Sequence, residues 1–151
     1  MQQGFTTSLK NQILKYFFYD TPGEVGEPTP LFVGLFIDHG SAEPNELVIG
    51  ARGYERAPVS FCVQLNTGVV NNSSPVSFPK ATSDWTTNTD KITGIGIFKS
   101  HSIVDADTGE TTYVSDDTDE LMAFIMLPEA ESVVAGEIFQ FNPQSISLQL
   151  I

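Results

Sequence analysis

Residues 58–65 read PVSFCVQL. Val59, Phe61, Val63 and Leu65 alternate with Ser60, Cys62 and Gln64, the period of two that sends successive side chains to opposite faces of a strand. The β pattern extends in both directions from this stretch. Upstream, LFVGLFID at 31–38 is a short apolar run bounded by Pro30 and His39-Gly40. Downstream lie SPVSFP at 74–79, KITGIGIF at 91–98 with Ile92, Ile95 and Ile97, LMAFIML at 121–127, EIFQF at 137–141 and SISLQLI at 145–151. LMAFIML reads as a strand buried on both faces. Turn chemistry separates the runs at Asn66-Thr67-Gly68, Asn71-Asn72-Ser73-Ser74, Asp107-Thr108-Gly109, Ala135-Gly136 and Asn142-Pro143. Short strands at this spacing predict an all-β chain, an antiparallel β-sandwich or jelly roll.

One segment has a different period. In SLKNQILKYFF, Leu9, Ile13, Leu14, Phe17 and Phe18 fall on one helical face, with Lys10, Asn11, Gln12 and Lys15 opposite. Thr6, Thr7 or Ser8 supplies an N-cap. The helix must end near Asp20, because TPGEVGEPTP at 21–30 is rich in proline and glycine. The chain therefore reads as a single domain over 1–151. It has a short amphipathic helix at about 7–19, a sandwich at about 30–151 and a solvated hairpin excursion at about 102–120. That excursion carries Asp105, Asp107, Glu110, Asp116, Asp117, Asp119 and Glu120, with no lysine or arginine.

Charge excludes several functions. Seven Lys+Arg stand against 19 Asp+Glu, a formal net charge of −12. The basic residues are scattered, so no nucleic-acid interface is expected, since phosphate binding needs clustered Lys and Arg. The same acidity disfavours an anionic membrane surface. The runs at 31–37 and 121–127 are far shorter than the roughly 20 apolar residues of a membrane-spanning helix. MQQGFTTSLK lacks a basic start followed by an apolar stretch, so no signal peptide is expected. The single cysteine, Cys62, forms no intrachain disulfide and no cysteine-based zinc site.

Residue constellations that carry chemistry are weak. Asp105, Asp107 and Glu110 supply hard oxygen atoms suited to calcium, but Thr108 breaks the EF-hand spacing, and a solvated acidic hairpin is the simpler account. His39 and His101 sit at strand ends with no nucleophile linked to them. Cys62 has no basic neighbour to lower its pKa. Gly94-Ile95-Gly96 lacks the third glycine and the helix of a phosphate cradle. Asn72-Ser73-Ser74 is formally a glycosylation sequon and reads as a turn. No enzyme activity, cofactor or metal is expected. Trp85 reads as a cap on the end of the core, with an exposed stacking platform as the rival. Leu9, Ile13, Phe17 and Phe18 read as a packing stripe against a sheet or a neighbouring subunit.

The order of these pieces resembles a family of small tailed-bacteriophage proteins known as phage tail fibre proteins. In that family an amphipathic helix precedes a strand of the type LYVALF, matched here by LFVGLF at 31–36. A GGYxR-type turn and a V-x-F strand follow, matched by Gly53-Tyr54-Glu55-Arg56 and Val59-Ser60-Phe61. The F-P-x-A-T-x-x-W element is matched by Phe78 through Trp85, the GIF strand by Gly96-Ile97-Phe98, and V-x-A-G-[DE] by Val133 through Glu137. This chain departs in having one glycine before Tyr54 and a longer acidic excursion after GIF.

The resemblance implies a non-enzymatic structural protein of a tailed-phage virion, assembled in the host cytoplasm. It would be associated with the tail or its fibres, bind other virion proteins and form a homo-oligomer. Capsid decoration is one alternative. A carbohydrate-binding module for host surface glycan is another, and it would need Trp85, Tyr54 and Tyr113 exposed on one surface.

Overall fold

A computed structural model describes residues 30–38, 44–64 and 69–149. The expected helix at 7–19, with Leu9, Ile13, Phe17 and Phe18, lies outside these residues, as does His39. The described residues contain twelve strands and no helix, so the all-β class stands.

The main sheet is built on β1 (Leu31–Ile37). One edge of β1 pairs antiparallel with β7 (Ile92–Phe98) along its length, with Gly34 opposite Gly96 and Leu35 opposite Ile95. Its other edge is shared by β2 (Asn45–Glu46) and β3 (Ala57–Val59). Beyond β7 lies β10 (Leu121–Glu131), which forms the edge of the sheet. A second sheet orders β12 (Ser147–Gln149), β5 (Val69–Asn72) and β4 (Phe61–Gln64). Two short strands, β6 (Val76–Ser77) and β11 (Gln140–Phe141), pair with each other. The last pair, β8 (His101–Val104) and β9 (Thr111–Val114), makes a separate hairpin.

Alternation explains the sandwich. Val33, Leu35, Ile95 and Ile97 point inward from β1 and β7 and are fully buried. They share one core with Phe61, Val70, Val76, Phe78, Val133 and Ile146 from the other strands and loops. Burying aliphatic and aromatic side chains of this size is worth about 1.5–3 kcal/mol each, which is what holds the sheets face to face.

The other face of the main sheet is unusual. Gly34, Gly94 and Gly96 carry no side chains there, and neighbours fill the space: the Glu46 carboxylate and the Phe98 ring over Gly34, the Phe124 ring over Gly94, and Leu121, Phe36 and Phe98 over Gly96. A Cβ on Gly96 would fall within 2.8 Å of Leu121, Phe36 and Phe98, and one on Gly94 would fall 2.5 Å from the Phe124 ring. Phe36 stacks parallel to Phe98 at 6.0 Å and meets Phe124 edge-on at 5.0 Å.

LMAFIML at 121–127 corrects the sequence reading. It is an edge strand, and Leu121, Met122, Phe124 and Met126 are exposed while Ala123, Ile125 and Leu127 pack against the core. An apolar run on both faces looks the same in sequence whether or not its outer face is covered.

Candidate functional site

Three segments far apart in sequence converge at one end of the sandwich. The first is the turn before β3. Gly50, Arg52 and Gly53 all adopt left-handed backbone, a conformation glycine reaches without steric cost. At Gly53 a Cβ would also strike the Lys80 carbonyl at 2.9 Å. This close approach lets the turn lie against the second segment, Phe78 through Trp85. The indole N–H of Trp85 donates to the Arg52 carbonyl at 2.8 Å, and Thr82 N–H donates to the same oxygen. The Arg52 guanidinium donates to the Asp84 carbonyl at 3.0 Å.

The third segment, Val133 through Glu137, closes over the second. Trp85 N–H donates to the Val133 carbonyl at 3.0 Å and Gly136 N–H to the Ala81 carbonyl at 2.7 Å. Ala135 N–H donates to the Asp84 carboxylate at 2.8 Å. Thr86 and Val133 complete the seam, with Val133 N–H donating to the Thr86 hydroxyl.

Tyr54 stands at the centre of the knot. It is 1% exposed, so it is a core residue and not the surface contact the sequence allowed. Trp85 is 3% exposed and meets the Tyr54 ring edge-on at 5.5 Å, while Phe78 stacks on the same ring at 6.4 Å. The Tyr54 hydroxyl accepts from Leu35 N–H at 2.8 Å and donates to the Glu46 carboxylate at 2.9 Å. Burial raises its pKa far above the ordinary phenol value, and the adjacent Glu46 charge adds to the rise. The phenol therefore stays neutral and serves as a two-sided hydrogen-bond bridge. Tyr54→Phe strands the buried Leu35 N–H and is expected to cost about 1–3 kcal/mol in urea unfolding.

Glu46 also binds Arg56, a pair that sequence reasoning missed. Arg56 forks onto the carboxylate with Nε donating at 2.7 Å and Nη2 at 2.6 Å. Its Nη1 donates to the Ser115 hydroxyl at 3.0 Å and to the Asp116 carbonyl. The guanidinium lies 3.4 Å over the Phe98 ring. One cation thus joins β2, β7 and the base of the acidic hairpin. The only advance signal was arginine in the GYER turn, because Glu46 is ten residues away across that turn.

The hairpin has its own geometry. Asp105 accepts from Asp107 and Thr108 N–H at 2.7 and 3.0 Å, and these bonds, Thr108 first, hold its pKa below the usual carboxylate value. Asp105 therefore caps the turn and is not gathered with Asp107 and Glu110 into a ligand set. The cluster that does form is His101, Asp116 and Asp119, each offering a ligand atom within 4.8 Å of the others. His101 Nδ1 contacts the Asp119 carboxylate at 2.9 Å, and Asp119 also accepts from Asp116 N–H at 2.8 Å. The Asp116 carboxylate accepts from the Thr118 hydroxyl and N–H, which lowers its pKa. These groups staple the hairpin base to the 115–120 turn. Millimolar calcium is expected to leave the melting temperature unchanged. A rise of several degrees would mark a metal site here.

Two other features take structural roles. Asn72 is wholly buried; its amide donates to the Ser74 and Asn142 carbonyls and accepts from Ile146 N–H, so the sequon asparagine is a buried fastener. Gly94 and Gly96 lie within β7. Tyr113, on β9, is 43% exposed. Of the three aromatics proposed as a sugar platform, Tyr54 and Trp85 are buried and in contact, and Tyr113 stands outside their cluster.

No curated protein matches this chain. The family described as Podophage GP4 fiber I protein gp80 matches residues 4–149, a span that includes all three converging segments. The chain belongs to this phage tail-fibre family.

Proposed function

We propose that this chain is a non-enzymatic structural component of a tailed-phage virion, carried on the tail or its fibres, that works by binding other virion proteins and copies of itself. The observation that carries the reading is the family match across residues 4–149. The geometry supports it: the polar groups brought together around Tyr54, Glu46 and Arg56 are buried and spent on one another. They hold segments in place and offer no reacting atom to a substrate. One surface open to a partner is the hairpin, where Ile103, Val104 and Tyr113 are exposed beside the carboxylates. Acidic outer loops also discourage adhesion to packaged DNA.

Sedimentation of the purified chain tests self-association, and a blot of denatured virions tests incorporation. An oligomer in solution and a virion band are expected. A monomer at all concentrations together with no virion band would overturn the reading. Tyr113→Ala should weaken incorporation without lowering the melting temperature.

A further inference from the structure

We propose that His101 and Asp116, with Asp119 behind them, bind a divalent transition-metal ion of the zinc class at the base of the β8–β9 hairpin. The imidazole separates this cluster from an ordinary acidic surface and sets the choice of ion. A ring nitrogen beside carboxylates suits zinc, cobalt or nickel. Calcium instead takes about six to eight oxygen ligands, which these three side chains do not supply.

The ring is held at one nitrogen and open at the other. His101 Nδ1 lies 2.9 and 3.1 Å from the two Asp119 carboxylate oxygens, and the Asp119 side chain is only 9% exposed. A buried carboxylate at that distance keeps the proton on Nδ1 and leaves the Nε2 lone pair for an ion. Metal-binding histidines are commonly oriented in this way, and the carboxylate also makes the ring a better ligand. Nε2 lies 3.7 Å from Asp116 Oδ2. Two donors on one zinc, each at about 2.0–2.1 Å, stand roughly 3.4 Å apart in a tetrahedron, so a small inward shift closes the pair on an ion.

Asp116 is aimed as well. Its Oδ1 accepts from the Thr118 N–H and hydroxyl, and its own N–H donates to Asp119 at 2.8 Å, so Oδ2 is the oxygen turned to the ring. The His101 and Asp116 side chains are 39% and 43% exposed, and water can complete the coordination. Charge agrees. Two cations near the hairpin base are committed elsewhere, Arg56 to Glu46 and Lys99 to Glu120, and the surrounding carboxylates draw cations in. A bound ion would tie β8 to the 115–120 turn and so fasten the two ends of the hairpin together.

Zinc chloride titrated into the full chain tests the site. Calorimetry should show binding, and the melting temperature should rise by several degrees, as ligation of the folded state requires. His101→Ala should abolish the binding. Asp119→Asn should weaken it about 10–100-fold, the usual cost of removing the carboxylate behind a metal-bound histidine. His39→Ala, at the chain's other histidine, should leave it unchanged. A second measurement does not depend on a variant's folding. In nitrogen-15 NMR of the wild-type chain, zinc should shift the Nε2 resonance of one imidazole while its Nδ1 stays protonated. No binding, binding that survives His101→Ala, or zinc on Nδ1 would overturn the proposal.

Discussion

Arg56→Ala is expected to lower the unfolding free energy by about 3–5 kcal/mol, the cost of leaving a buried charge without its partner. The Arg56 side chain is 2% exposed and that of Glu46 15%, so solvent cannot replace the lost fork. Removing the guanidinium leaves the Glu46 carboxylate with the Tyr54 hydroxyl as its hydrogen-bond partner among the described residues. It also takes a donor from the Ser115 hydroxyl and from the Asp116 carbonyl, and uncovers the Phe98 ring. Lysine does not rescue the site, because a point charge on a flexible stem cannot reproduce two parallel N–H donors. The double variant Glu46→Gln/Arg56→Met should lose less than Arg56→Ala, since it removes both charges together. Urea unfolding followed through the single tryptophan reads both. A loss under about 1 kcal/mol for Arg56→Ala, the size of an exposed ion pair, would contradict the buried-fork account.

Trp85→Ala is the second large effect, about 3–5 kcal/mol for emptying a packed aromatic site. The indole fills the space against Tyr54, and its N–H is one of the bonds that hold the Arg52 turn in left-handed backbone. The loss therefore spreads: the turn loosens, and with it the Glu46–Tyr54–Arg56 bridge. Thermal unfolding by circular dichroism measures the cost. A drop below about 1 kcal/mol with the β signal intact would mean that the ring contributes little to the core and would return Trp85 to a surface role. Because Trp85 and Tyr54 touch, the double variant Trp85→Ala/Tyr54→Phe should be non-additive.

Much of this architecture was legible before the coordinates. β1 and β7 announce themselves through dense Leu, Ile, Val and Phe, and Val76 with Phe78 through their alternation. Period-two patterning reports which side chains share a face, and the core is made of those faces. What it does not report is what covers the other face, so LMAFIML reads as a strand buried on both faces although its outer side chains are exposed. Tyr54 was equally opaque. An aromatic in a glycine-flanked turn reads as surface until the segments around Trp85 and Val133 are folded onto it. The polar fasteners were the least legible. Glu46 meets Arg56 across a turn, His101 meets Asp119 across a hairpin, and Asn72 reaches Asn142, 70 residues further along the chain. Each pair depends on a tertiary approach that no local pattern encodes. The family motifs are the exception, since GYER, FPKATSDW and VVAGE follow one another in the order of the family pattern and are the segments that meet.

Immunogold labelling of intact particles of the source phage, with an antibody against this chain, tests the central claim most directly. The account predicts gold along the tail or at its tip, with a matching band in the blot of denatured virions. Gold spread over the head would make the chain a capsid decoration protein. A chain present in infected cells but missing from denatured virions would contradict a virion role altogether.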